Sequence, residues 1–210
     1  MNHPFDKLAA SLLFLIVGLI LGGLFLAPAA LRLAGQDSQA IEDISELLIF
    51  LLPPLLLLPA VFAVYQRQRA EAPGLAAVAL VAGLAAGGGM LLWLLLLATR
   101  LQPFQVARMV GFYGLTIAGG AWVLLASLGL AGQPCAAGGW ATAVQGAVLL
   151  LGPICGVAMI LYGASLLLNG GLAVTNVAIT LWLLTYPLWL LALGGWLWGA
   201  GQERSWLAGA

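Results

Sequence analysis

The chain has 210 residues, of which 63% are hydrophobic and 7% charged, and its seven basic side chains balance seven acidic ones. A water-soluble domain carries about a quarter charged residues, so these few charges could not cover a soluble protein of this size. Disorder is excluded as well, because it requires low hydrophobicity together with high net charge. The composition predicts a multi-pass integral membrane protein in the lipid bilayer.

The residue counts also exclude several kinds of functional site within this chain. A net charge of zero without a basic run gives no electrostatic basis for binding nucleic acid. The single histidine, His3, and the single lysine, Lys7, both precede the first apolar run. No imidazole or amine is therefore available inside the bilayer to ligate a haem or metal, or to assist a nucleophile. We expect no catalytic residue, no metal site and no cofactor ligated by this chain.

Apolar runs of about 20 residues, the length that crosses the hydrocarbon core, predict six transmembrane helices and no sheet. Charged residues, together with Pro73 and Gly74, separate the first four runs. The last three are separated by turn residues alone, around residues 129–139 and 169–171. We expect one integral membrane domain without a soluble part and with spans near residues 8–31, 47–65, 75–99, 110–128, 140–168 and 172–198.

Basic residues weakly favour a cytoplasmic position for both termini. With six spans, the termini lie on the same side as Arg67 and Arg69, which directly follow a span. Positive charges close to a helix end have the strongest effect on orientation. The acidic segment at residues 32–46 then faces outward.

A structural ion pair is expected at the outer boundary, between Arg108 and either Glu46 or Asp43. The second and fourth spans both begin on that side. An arginine that enters the edge of the bilayer is costly without a partner. The pair would hold two helix ends together.

The second span contains three prolines, Pro53, Pro54 and Pro59. Proline removes a backbone donor and clashes with the carbonyl four residues earlier. A broken helix that lines a site, as in transporters with discontinuous helices, is one interpretation. The alternative is a kink without function, because membrane helices tolerate proline well.

The two halves of the chain show a weak internal similarity. Pro53 in the second span corresponds to Pro153 in the fifth, and Gly74 before the third span corresponds to Gly171 before the sixth. Because each half would hold three spans, a true repeat would be inverted, as in many secondary transporters. Accidental matches are the alternative, since leucine, alanine and glycine dominate the composition.

Aromatic residues recur on one face of the last span, where Trp182, Trp189 and Trp196 are seven residues apart and Tyr186 lies between them. In one interpretation the rings pack inward against small residues of the same chain, such as Gly83. In the other they face outward and dock a partner helix or a flat apolar ligand such as a lipid, quinone or carotenoid.

Two functions fit these observations. The lack of cofactor ligands, mid-membrane charges and soluble domains favours a non-catalytic subunit, or an assembly or scaffold component, of a larger membrane complex. Its partners would be other membrane subunits, docked on the tryptophan face. The alternative is a small-solute transporter or permease built on a 3+3 inverted repeat with a proline-broken second helix.

Overall fold

The computed structural model describes residues 3–35, 52–98, 104–131, 133 and 139–207. Helices and the turns between them make up this part of the chain, which contains no strand. The expected all-helical architecture is confirmed for these residues. A helix satisfies most of its backbone polar groups internally, which is the requirement that lipid imposes on a spanning segment.

Eight α-helices and one short π-helix make up the described part. The π-helix, Gly22–Leu26, lies just before Pro28, whose ring cannot donate the regular hydrogen bond to the residue four earlier. In chain order the α-helices are α1 His3–Leu21, α2 Ala27–Leu33, α3 Leu52–Leu56, α4 Leu58–Gln68, α5 Pro73–Ala98, α6 Phe104–Leu130, α7 Gly139–Leu167 and α8 Leu172–Leu207.

Five helices of the described part are long and apolar enough to cross a membrane. Their spanning regions are Phe5–Leu33, Pro73–Met90, Phe112–Leu130, Gly139–Leu167 and Leu172–Gly199. The described residues of the expected second span form α3 and α4, which are too short to be counted with the five, and residues 47–51 lie outside the described part. The chain therefore has the helices of an integral membrane protein.

The helices pack as a closed ring. Around the ring, α1 contacts α8, α8 contacts α7, α7 contacts α6, α6 contacts α5, α5 contacts α4, and α4 returns to α1. The short helix α3 contacts α1 and α5, so it extends α4 in the same position.

Polar contacts mark one end of the ring. Near the start of α1, Asp6 contacts Arg67 at the end of α4, and Arg67 in turn contacts Trp196 late in α8. We call this the terminal end, because α1 begins and α8 ends toward it, and the opposite one the far end.

Glycines allow α6 and α7 to pack with their backbones in direct contact. A methyl group on Gly120 would lie 2.6 Å from the carbonyl oxygen of Gly156, and one on Gly156 would lie 2.7 Å from that of Gly120. Such close approach is a main source of attraction between helices in lipid, where burial of apolar surface supplies little. This glycine pair sets the distance between the two helices.

Replacement of Gly156 by alanine should separate α6 from α7. We expect Gly156→Ala to lower the free energy of unfolding by about 1–3 kcal/mol, because the added methyl group meets backbone that cannot move aside. Gly146→Ala in the same helix is the matched control, since no atom lies within 4 Å of its new methyl group. Equal effects of the two changes on unfolding in mixed micelles would contradict the assigned contact.

Candidate functional site

The aromatic face of α8 points into the ring. Trp189 is completely buried, and Trp182, Tyr186 and Trp196 each expose 8% of their surface. The structure therefore has the inward-packing arrangement. The outward-facing arrangement, which docking of a partner helix on this face requires, is not the observed one, because the rings cover other helices of the same chain. Ligand docking by these four residues stays a prediction.

Two tryptophans form a layer across the middle of the ring. Trp122 of α6 meets Trp189 edge to face, with ring centroids 5.4 Å apart and planes at 84°. The Trp189 indole Nε1–H donates a hydrogen bond to the Ser127 hydroxyl at 3.0 Å. We call Trp122 and Trp189 the tryptophan layer.

Small residues make room for this layer. A methyl group on Gly83 of α5 would lie 2.8 Å from the Trp122 ring, and one on Gly152 of α7 would lie 2.9 Å from the Trp189 nitrogen. Large rings set against glycines of neighbouring helices are ordinary membrane-protein packing. The layer therefore occupies the space that four helices leave between them.

A central cavity lies next to the tryptophan layer, on the side of the far end. Its volume is about 50 Å³. Residues from five parts of the ring line it: Pro53, Leu57, Ala86, Met90, Phe112, Leu115, Thr116, Gly119, Val123, Met159, Trp182 and Tyr186.

The cavity lining is apolar and aromatic, with two hydroxyl groups and no charged side chain. The Thr116 hydroxyl donates to the carbonyl oxygen of Phe112 at 2.9 Å and keeps its capacity to accept. Tyr186 stacks on Trp189 with centroids 6.3 Å apart, so its ring is fixed against the tryptophan layer. The cavity has the chemistry of a site for a small uncharged molecule.

A polar cluster lies at the terminal end. Arg67 Nη2–H donates to Asp6 Oδ2 at 2.8 Å, and these side chains are only 13% and 14% exposed. The Arg67 guanidinium also lies 4.8 Å from the centre of the Trp196 ring, a cation–π contact. These three residues link α1, α4 and α8.

Glutamines extend this cluster to α6 and α7. The fully buried Gln68 donates to the carbonyl oxygen of Ala126 at 2.6 Å. Gln133 donates to the carbonyl oxygen of Arg67 at 3.1 Å, and Gln145 donates to that of Gln133, also at 3.1 Å. We call Asp6, Arg67, Gln68, Gln133, Gln145 and Trp196 the terminal cluster.

The terminal cluster is not predicted by the sequence. In the sequence, Arg67 indicates only which side of the membrane a helix end faces, and the other polar residues at span ends indicate only where the spans stop. The positions of Gln68 and Gln145 could have indicated the cluster, because each lies within two helical turns of the end of a predicted span. Long amides at such positions can reach carbonyls of neighbouring helix ends.

The proline segment is helical on both sides of Leu57. Leu57 N–H donates to the Pro53 carbonyl and Val61 N–H donates to the Leu57 carbonyl, both at 3.0 Å. Leu57 itself keeps right-handed helical angles, φ −73° and ψ −23°. The described part of this segment is an interrupted helix whose hydrogen bonds continue past the interruption. Its functional role stays a prediction for Pro53, which lines the cavity, and equally for Pro54 and Pro59.

The expected outer ion pair lies largely outside the described residues. Glu46 and Asp43 are not among them, and of Arg108 the structure describes only the helical backbone in α6. The pair therefore stays a prediction. Across the described part of the chain, no three His, Cys, Asp or Glu side chains form a group that could hold a metal ion.

Known proteins do not identify a function for this cavity or for the terminal cluster. No family model, no curated protein and no solved structure matches the chain.

Proposed function

We propose that this protein is a permease for small uncharged solutes and that the central cavity is its binding site. The observation that carries the proposal is the cavity itself, which is lined from α3 to α8 and lies within the ring. Transporters commonly bind their solute in this position, between helices from the two halves of the chain.

The lining determines the class of solute. A charged solute would lose its hydration without gaining a counter-charge, which is strongly unfavourable. Thr116 and Tyr186 offer hydroxyl groups to a solute with one or two polar atoms. The volume of about 50 Å³ is far below the roughly 300–1,000 Å³ of sites for drug-sized ligands, so the solute has only a few non-hydrogen atoms.

We further propose that the permease crosses the membrane six times and has both termini in the cytoplasm. The segment α3–α4 occupies a full position in the ring, between α1 and α5, and supports a sixth crossing. Arg67 and Arg69 at the terminal end support a cytoplasmic position for that end. The 3+3 inverted repeat remains a separate prediction.

A reporter fused to either terminus tests this orientation. Alkaline phosphatase, which is active only outside the cytoplasm, should be inactive at both ends, whereas a cytoplasmic fluorescent reporter should be active at both. Opposite behaviour of the two termini would mean an odd number of crossings.

A subunit of a larger membrane complex is the second candidate function. The tryptophan face no longer supports it, but an apolar groove of about 650 Å³ on the outer surface between α7 and α8 favours it. Exposed Val157, Leu161 and Val177 lie along this groove. Another membrane subunit would fit there, as would a lipid, quinone or carotenoid held without covalent bonds. Stable co-purification of another membrane protein would favour this candidate over the first.

Flux measurements in proteoliposomes test the permease directly. We expect water, urea or glycerol to enter liposomes that contain the protein faster than protein-free liposomes, measured by stopped-flow light scattering. Gly119→Val should lower this flux about tenfold, because the larger side chain fills the cavity and costs about 1–3 kcal/mol when a solute is present. The flexible end of Met159, 3.0 Å from the added methyl group, can move to accommodate it.

Gly114→Val is the matched control for the flux measurement. It places the same side chain on the same helix, where no atom lies within 4 Å of the first added carbon. Its flux should equal that of the unchanged protein. A flux no faster than in protein-free liposomes for all three solutes, or equal losses in the two variants, would overturn the proposal.

A further inference from the structure

We propose that the terminal cluster is the closed gate of the solute pathway and that separation of Asp6 from Arg67 opens it. The inference rests on the proposed function, because it assigns a pathway to the central cavity. The structure is then a state in which the solute site is shut off from the terminal end.

The position of the cavity, far from the terminal end, supports a closed gate. On α5, which runs from the terminal to the far end, the lining residues Ala86 and Met90 lie in the second half. On α7, which runs in the same direction, Met159 lies in the last third. The tryptophan layer and then the terminal cluster lie between this cavity and the terminal end, so two closed layers separate them.

The ion pair of the terminal cluster is also of a kind that suits a gate. Ion pairs that are largely removed from water contribute little net stability, because the loss of hydration offsets their attraction. An apolar contact would hold α1 against α4 equally well. The best-attested role of such pairs is to distinguish one arrangement from another, which is what a gate requires.

Hydrogen bonding within the terminal cluster is incomplete in this structure. Among the described residues, Arg67 Nε and Gln68 Oε1 are buried and have no hydrogen-bond partner. A buried polar group without a partner raises the free energy of the state that contains it. Water that enters an opened terminal end would supply both partners.

The contacts also identify the part that moves. Asp6 is the member of the terminal cluster that belongs to α1, whereas Gln68 lies against Gly129 and Ala126 of α6 and fixes α4 there. When the Asp6–Arg67 contact breaks, α1 loses its polar attachment, while α4 keeps that of Gln68. The gate therefore opens between α1 and α4.

Accessibility of a single introduced cysteine tests the gate without any solute. Val64→Cys places a thiol on α4 between Val61, which packs at Gly83 beside the tryptophan layer, and Gln68 of the terminal cluster, in a chain whose Cys135 and Cys155 are replaced by alanine. The probe is a membrane-impermeant cationic methanethiosulfonate, added to vesicles whose exposed side is established by a tag at the C-terminus. With the gate intact, the thiol should be unreactive from the side of the termini.

Arg67→Gln should open the gate. We expect the reaction rate of Val64→Cys from the side of the termini to rise about tenfold or more, as the population of the open state rises. Arg69→Gln is the matched control, because Arg69 is exposed and outside the terminal cluster. It should leave the rate unchanged.

A second cysteine distinguishes gating from unfolding. Cys155 of α7 is fully buried and lies past Gly152 toward the far end. Kept as the single cysteine of a second chain, it should stay unreactive from the side of the termini in the Arg67→Gln variant, whereas unfolding would expose it. If Arg67→Gln does not yield a monodisperse protein, Asp6→Asn removes the same ion pair and takes its place. An unchanged Val64→Cys rate in the folded variant, or an equal rise with Arg69→Gln, overturns the gate. Absence of solute flux with the expected labelling pattern would overturn the permease and leave this arrangement of layers intact.

Discussion

The ion pair between Asp6 and Arg67 is the contact that specifies how the helices at the terminal end of this protein are arranged. Lipid offers no hydrophobic driving force between helices, so association requires close packing and polar contacts. Arg67 supplies three such contacts at once, to the carboxylate of Asp6, to the Trp196 ring and, through its carbonyl, to Gln133. One side chain at the end of a short helix thereby fastens α1, α4 and α8.

Glycine contacts and aromatic rings divide the remaining space of the ring. Where glycines meet, as at Gly120 and Gly156, the helix backbones touch. Where a tryptophan stands opposite a glycine, as Trp122 does at Gly83, the ring fills the gap. The cavity is the space that the tryptophan layer leaves toward the far end. The proposed binding site and the proposed gate thus lie on opposite sides of the tryptophan layer.

The sequence predicted the helices better than their contacts. Length and composition alone place spans at 75–99 and 140–168, close to the observed helices that begin at Pro73 and Gly139, because lipid requires long apolar runs. A seven-residue spacing shows that Trp182 and Trp189 share a face, but it does not say which way that face points, since lipid and protein interior are equally apolar. The terminal cluster escaped prediction because its glutamines reach carbonyls distant in sequence, such as that of Ala126.

A double-mutant cycle across the ion pair tests the central claim most directly. The free energies of unfolding of Asp6→Asn, Arg67→Gln and the double variant are compared with that of the unchanged protein in mixed micelles. If the pair fastens the terminal end, the interaction free energy of the two side chains is at least about 1 kcal/mol, because each single change leaves the other charge buried without its partner. Additivity of the two single effects to within about 0.3 kcal/mol would show that Asp6 and Arg67 act independently, and would contradict the account.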